Sequence, residues 1–95
     1  MDLRGELFVD LRTIAADVKK KSGNGYRDEH RAYFTALKER GKLLMAGPFK
    51  DGSGGMAIFI ADSLQEATTL SNNDPTVING LQIPHIRPWR TTISL

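Results

Sequence analysis

Cysteine is missing from all 95 residues. That excludes a disulfide framework, a thiolate nucleophile and a Cys-ligated zinc. A chain without cysteine needs no oxidising compartment, and a cytoplasmic location is expected. Long apolar runs are also missing. None approaches the roughly 20 residues of a membrane span, and Met1 to Glu6 lacks the apolar core of a signal peptide. No membrane partner is expected. Aromatic residues make up 7% and the net charge is only +2. A nucleic-acid binder concentrates its basic residues and interleaves aromatics for stacking. The one basic cluster here, Lys19-Lys20-Lys21, runs into Ser22-Gly23-Asn24-Gly25 and reads as a solvated, mobile loop. No nucleic-acid partner is expected. Gly52-Ser53-Gly54-Gly55 falls in a hairpin, where it cannot serve as a phosphate loop between strand and helix. Ser53 and Ser63 have no base signature beside them. No set of His, Asp and Glu has metal-ligand spacing. No cofactor and no metal are expected.

What is present begins with a strand over Glu6 to Thr13. It alternates Leu7, Val9 and Leu11 with Phe8 and Asp10. Ile14 to Tyr26 is a connection. A helix follows over about Arg27 to Arg40, with Tyr33, Phe34 and Leu37 on one stripe and His30 on the same face. Asp28 and Glu29 in its first turn and Lys38 and Arg40 in its last suit the helix dipole. Gly41 supplies the left-handed residue that ends it. Lys42 to Ala46 is a second strand, broken by Gly47-Pro48. Phe49 to Gly55 is a hairpin connection and Met56 to Ala61 a third strand. Ser63-Leu64-Gln65-Glu66 is a capping box, in which Ser63 caps and Glu66 reaches back to the Ser63 amide. That helix runs to about Ser71, with Leu64, Ala67 and Leu70 inward. Asn72 to Pro75 stops it, Thr76 to Asn79 forms a helical turn, and Leu81 to Arg90 is the last strand. Pro84 and Pro88 place that strand at a sheet edge or a bulge.

The order β-α-β-β-α-β is the ferredoxin-like arrangement, an α+β fold in one domain over residues 1–95. Two helices cover one sheet face. Yet Leu43 and Met45 alternate with Leu44 and Ala46, and Met56, Ile58 and Ile60 alternate with Ala57 and Phe59. Both faces are apolar, so the uncovered face calls for a partner, most simply a second copy in a homodimer. Those strands lack paired surface aromatics, which argues against RNA on that face.

Two residues stand out chemically. His30 sits near a helix N-terminus, a poor place for a cation and so a suitable one for a general base. Asp74, in an irregular segment, could reach the same sheet rim and orient one ring nitrogen. Each also has a plainer role: His30 can pack within its helix, and Asn73-Asp74-Pro75 starts a turn well. His85 alternates with Ile83 and Arg87 and suits a packing role on the dimer face.

These residues resemble the YCII-related domains. The resemblance covers roughly residues 26 to 90. It rests on Arg27-x-x-His30, Gly41-x-Leu43-Leu44-x-Ala46-Gly47-Pro48, the glycine-containing hairpin, the Ser63-to-Asn72 helix, Asp74-Pro75 and Ile86-Arg87-Pro88-Trp89. It implies a dimeric α+β barrel with a pocket between sheet and helices. It also implies a catalytic histidine–aspartate pair at His30 and Asp74. Some relatives break down halogenated or hydroxylated aromatics, dehydrochlorination included. The connection at Lys19 to Gly25 and Pro84 in the last strand depart from the family pattern.

The expectation is therefore a small dimeric, cofactor-independent enzyme doing acid/base chemistry, elimination or isomerisation, on a small enolisable or aromatic molecule. His30 would be the acid/base and Asp74 its orienter. Gly47 and Pro48 would shape the rim, and Phe49 and Trp89 would line an apolar pocket. The alternative is a ligand-binding or interaction module on the same scaffold, without catalysis.

Overall fold

The structure, a computed structural model, describes residues 5–16 and 26–95. The loop expected at Lys19 to Gly25 lies outside the described residues. Strand β1 spans Glu6–Ile14, helix α1 Arg27–Glu39, strand β2 Leu43–Pro48 and strand β3 Gly54–Ala61. Helix α2 spans Leu64–Asn72, the short helix α3 Pro75–Ile78, strand β4 Gln82–Ile83 and strand β5 Ile86–Trp89. The antiparallel sheet runs β2-β3-β1-β4, and β5 also pairs with β1. This is the ferredoxin-like α+β fold that the element order implies.

Alternation along β1 decides what meets what. Phe8 joins Phe34 and Leu37 of α1, Leu70 of α2, and Leu43 and Phe59 of the sheet in the main core. Phe34 and Phe59 meet edge to face, with ring centroids 5.8 Å apart. Leu7, Ile58 and Ile60 form a second cluster with Val9 and Leu44 on the face away from the helices. Around it stand exposed Leu11, Met45, Met56, Ile83 and Trp89.

Gly41, at φ +74°, ends α1 as its sequence position requires. Ser63 caps α2 by accepting from the Glu66 amide at 3.0 Å. The reciprocal bond differs from the one expected. The Glu66 carboxylate accepts from Asp62, one residue earlier, at 2.7 Å. Leu64 is exposed rather than inward.

Two irregularities reshape the strands. In β2 the register shifts between Leu43, opposite Phe59, and Met45, opposite Ile58. Leu43 and Met45 therefore lie on opposite faces, where simple alternation puts them together; a bulge adds a residue and resets the alternation. The last strand is not continuous. It breaks at Pro84-His85 into β4 and β5, both on β1. Proline has no N–H for the ladder. The His85 carbonyl still accepts from Leu11 at 3.0 Å. Its N–H donates to the Asp10 carboxylate at 3.1 Å.

Candidate active site

Between α1 and strands β2 and β3 lies a cleft of about 820 Å³. His30 projects into it from the second turn of α1. Its ring stacks at a tilt on Phe34, centroids 4.4 Å apart, and Nδ1 lies 2.7 Å from Asp74 Oδ2. Asp74 is fully buried. It does both things its sequence position allows, one with each oxygen. Oδ1 caps α3 by accepting from the Thr76 amide at 3.0 Å, with Pro75 opening the helix. Oδ2 faces His30.

The sequence reading did not find what lies behind Asp74. Arg12, on the buried side of β1, also donates to Asp74 Oδ2 through Nη1. Its Nε donates to Asp10 Oδ2 at 2.9 Å and its Nη2 to the Ser71 hydroxyl at 2.9 Å. Ser71 in turn donates to Asp10 at 2.7 Å, and Gln82 Oε1 accepts from Arg12 at 3.0 Å. The guanidinium lies 5.1 Å from the Phe34 ring centroid. Buried charges are tolerated when paired and fully hydrogen-bonded. Among the described residues, no buried side-chain polar atom is left without a partner. The available signal was two opposite charges, Asp10 and Arg12, on the Phe8 side of a strand whose other side is continuously apolar.

Burial would push the Asp74 carboxyl up. Hydrogen bonds from His30, Arg12 and the Thr76 amide, with the charge of His30, outweigh it and hold the group below the usual aspartate range. An ionised carboxylate only accepts, so the His30 proton on that side belongs to Nδ1. The tautomer with its proton on Nδ1 carries its lone pair on Nε2. Among the described residues it has no hydrogen-bond partner, and the ring lines the cleft. The Tyr33 hydroxyl donates to the Leu70 carbonyl at 2.7 Å and ties α1 to α2. Burial and then the Asp74 charge raise its pKa, against Arg40 and Arg12.

Of the residues expected to shape the pocket, Gly47 and Pro48 line the cleft. Phe49 does not. It lines a smaller hollow with Met45, Gly47, Pro48 and Met56. Trp89 lines neither. It pairs with Leu7, and residues directly opposite across a sheet share a face, so its ring stands on the side away from the helices. His85 is exposed at the break between β4 and β5. Among the described residues, no three His, Asp or Glu side chains are grouped to hold a metal. None of the helices is long and apolar enough to cross a membrane.

A ferredoxin-like α+β fold with a histidine–aspartate contact at a cleft between helix and sheet defines the class. The chain belongs to the YCII-related domain family, whose model matches residues 8–90. It is similar to the uncharacterized protein YjpA of Bacillus subtilis (strain 168), with 36% identity over 84 residues, 88% of this chain and 92% of YjpA. Among solved structures it is similar to 5-chloro-2-hydroxyhydroquinone dehydrochlorinase (TftG) from Burkholderia phenoliruptrix AC1100, in complex with 2,5-dihydroxybenzoquinone. The TM-score is 0.72 and the identity 26%, over 90% of this chain and 95% of that one.

Proposed function

We propose that this protein is a small acid/base enzyme that moves a proton on a small organic substrate in the cleft, by elimination or isomerisation. The observation that carries the reading is the 2.7 Å contact between His30 Nδ1 and Asp74 Oδ2, with the ring on the cleft wall. Nε2 takes a proton from a substrate carbon or hydroxyl. The electron pair left behind expels a leaving group or shifts a double bond, and the proton returns to the departing group, the new carbon or water. Asp74 fixes the ring and the tautomer; Arg12 fixes Asp74. The dehydrochlorinase activity in the name of TftG supports elimination as the first reaction to assay. The working form in this proposal is a homodimer joined through the face bearing Leu11, Met56 and Ile58, opposite the helices.

The test is chloride release from 5-chloro-2-hydroxyhydroquinone, with isomerisation of enolisable ketones followed in parallel. His30→Ala should abolish turnover while costing about 2 kcal/mol of stability, one hydrogen bond to a charged group. Asp74→Asn should lower kcat less than His30→Ala, because it removes orientation and keeps the base. Full activity in His30→Ala would refute the reading and leave a ligand-binding module.

A further inference from the structure

The cleft is lined by cations and, among the described residues, by no carboxylate. Arg27, His30, Arg31, Phe34 and Lys38 follow one another along α1 at intervals of one, three and four, and all line it. Arg12 closes its floor. Asp28 and Glu29 belong to the same helix but are not part of the lining. Among the described residues, Arg27, Arg31 and Lys38 have no ion pair. Lys38 suits the last turn of α1, but the two arginines bring the helix no such gain. Arg27 stands at the first position of α1, where the dipole repels a cation. Arg31, four residues on, repels Arg27 across one turn. The opposite wall is apolar, with Leu43, Ala46, Pro48 and Ala57. Asp10 and Asp74, the carboxylates behind the floor, share the single cation Arg12 and keep one net negative charge there. Among the described residues, the three cations of the rim outnumber it.

The geometry points to a small organic anion as the ligand class of this cleft: a compact apolar or aromatic body bearing one carboxylate or similar oxyanion. Its charged end lies on Arg31 and Arg27, and its body lies against Leu43, Ala46 and Pro48. This deepens the acid/base reading and rests on it only for the chemistry that follows binding. An anion held by Arg31 puts its body next to Nε2 of the neighbouring His30. Arginine suits the task because its planar fork meets a carboxylate with two parallel hydrogen bonds.

The probes are sodium benzoate and its neutral counterpart benzamide, titrated into the isotope-labelled full chain and followed by backbone amide shifts. Benzoate should shift amides around Arg31, Ala46 and Gly47 and bind at least about fivefold tighter than benzamide. Raising salt from about 20 mM to about 500 mM should erase most of that preference. Arg31→Gln should weaken benzoate about tenfold, the loss of a charge-assisted contact. Lys50→Gln, on the β2–β3 hairpin outside the cleft, should leave it unchanged. Equal binding of benzamide, shifts centred elsewhere, or equal losses in Arg31→Gln and Lys50→Gln would overturn the inference. His30→Ala separates the two readings, because it should keep the benzoate preference. A protein that prefers the anion yet moves no proton supports this inference and sinks the acid/base reading. A protein that moves protons without preferring the anion does the reverse.

Discussion

The Arg12 guanidinium donates to the same carboxylate oxygen of Asp74 that faces the His30 ring. A strand at the N-terminal end of the chain thus fixes an oxygen that comes 62 residues later. The histidine side of that oxygen faces the cleft; the arginine side is sealed. The arrangement gives the site a rigid back, and its consequences can be measured.

Removing Arg12 leaves Asp10 buried without a counter-charge and Asp74 with His30 alone. Arg12→Met, close in volume, should cost about 3–5 kcal/mol, the usual cost of stranding one side of a buried pair. Urea unfolding of the two proteins measures it. Arg12→Lys should recover only part, because an ammonium cannot reach Asp10, Asp74 and Ser71 with one planar fork.

Acid should act through Asp74. Its carboxyl is held below the ordinary aspartate value of 3.8 in the folded chain. A depressed folded pKa contributes stability that is complete above the unfolded value and is lost as pH falls through the folded one. The urea midpoint of the wild type should therefore fall as pH drops below about 4. In Asp74→Asn that portion of the slope should disappear, on a baseline already lower by about 2 kcal/mol from the lost hydrogen bonds to charged partners. An unchanged acid slope in Asp74→Asn would show that other carboxylates carry it.

Gly54 begins β3 at φ +156°, and a Cβ there would stand 2.0 Å from the Arg12 carbonyl oxygen. Backbone cannot yield to that contact without moving β1 and the arginine it carries. Gly54→Ala should cost more than about 2 kcal/mol, well outside the range of surface changes. Gly47→Ala, with nothing within 4 Å, should be close to neutral. Thermal melts of the two variants make the comparison.

The homodimer proposal makes a separate prediction. Met56 lies opposite Leu11 on the face away from the helices and is exposed in the single chain. An interface there should bury at least about 1,000 Å². Met56→Lys should give a folded monomer by light scattering, with unchanged circular dichroism. Ile58→Lys, at a buried position of the same face, should also lose stability. A monomeric wild type at micromolar concentration would rule the interface out.

The sequence by itself determined the order and type of the elements and the face each residue takes along β1, β3 and α1. Alternation of period two and a helical stripe depend on neighbours a few residues apart, and nothing distant has to be known. Gly41 and Ser63 mark helix ends for the same local reason. His30 and Asp74 were legible as candidates, each from its own surroundings. Their meeting across 44 residues follows from the β-α-β-β-α-β order only in outline. Tertiary structure decided the rest. The bulge in β2 moved Met45 to the outer face, and pairing with Leu7 took Trp89 away from the cleft. The break at Pro84-His85 freed an N–H that Asp10 receives. Above all, Arg12 is buried because β1 lies between β3 and β4, with Asp74 and Thr76 at the start of α3 against its guanidinium. Whether a charge is buried depends on which surfaces the closed chain brings over it; the spacing along β1 puts Arg12 on the Phe8 side but does not say what covers it.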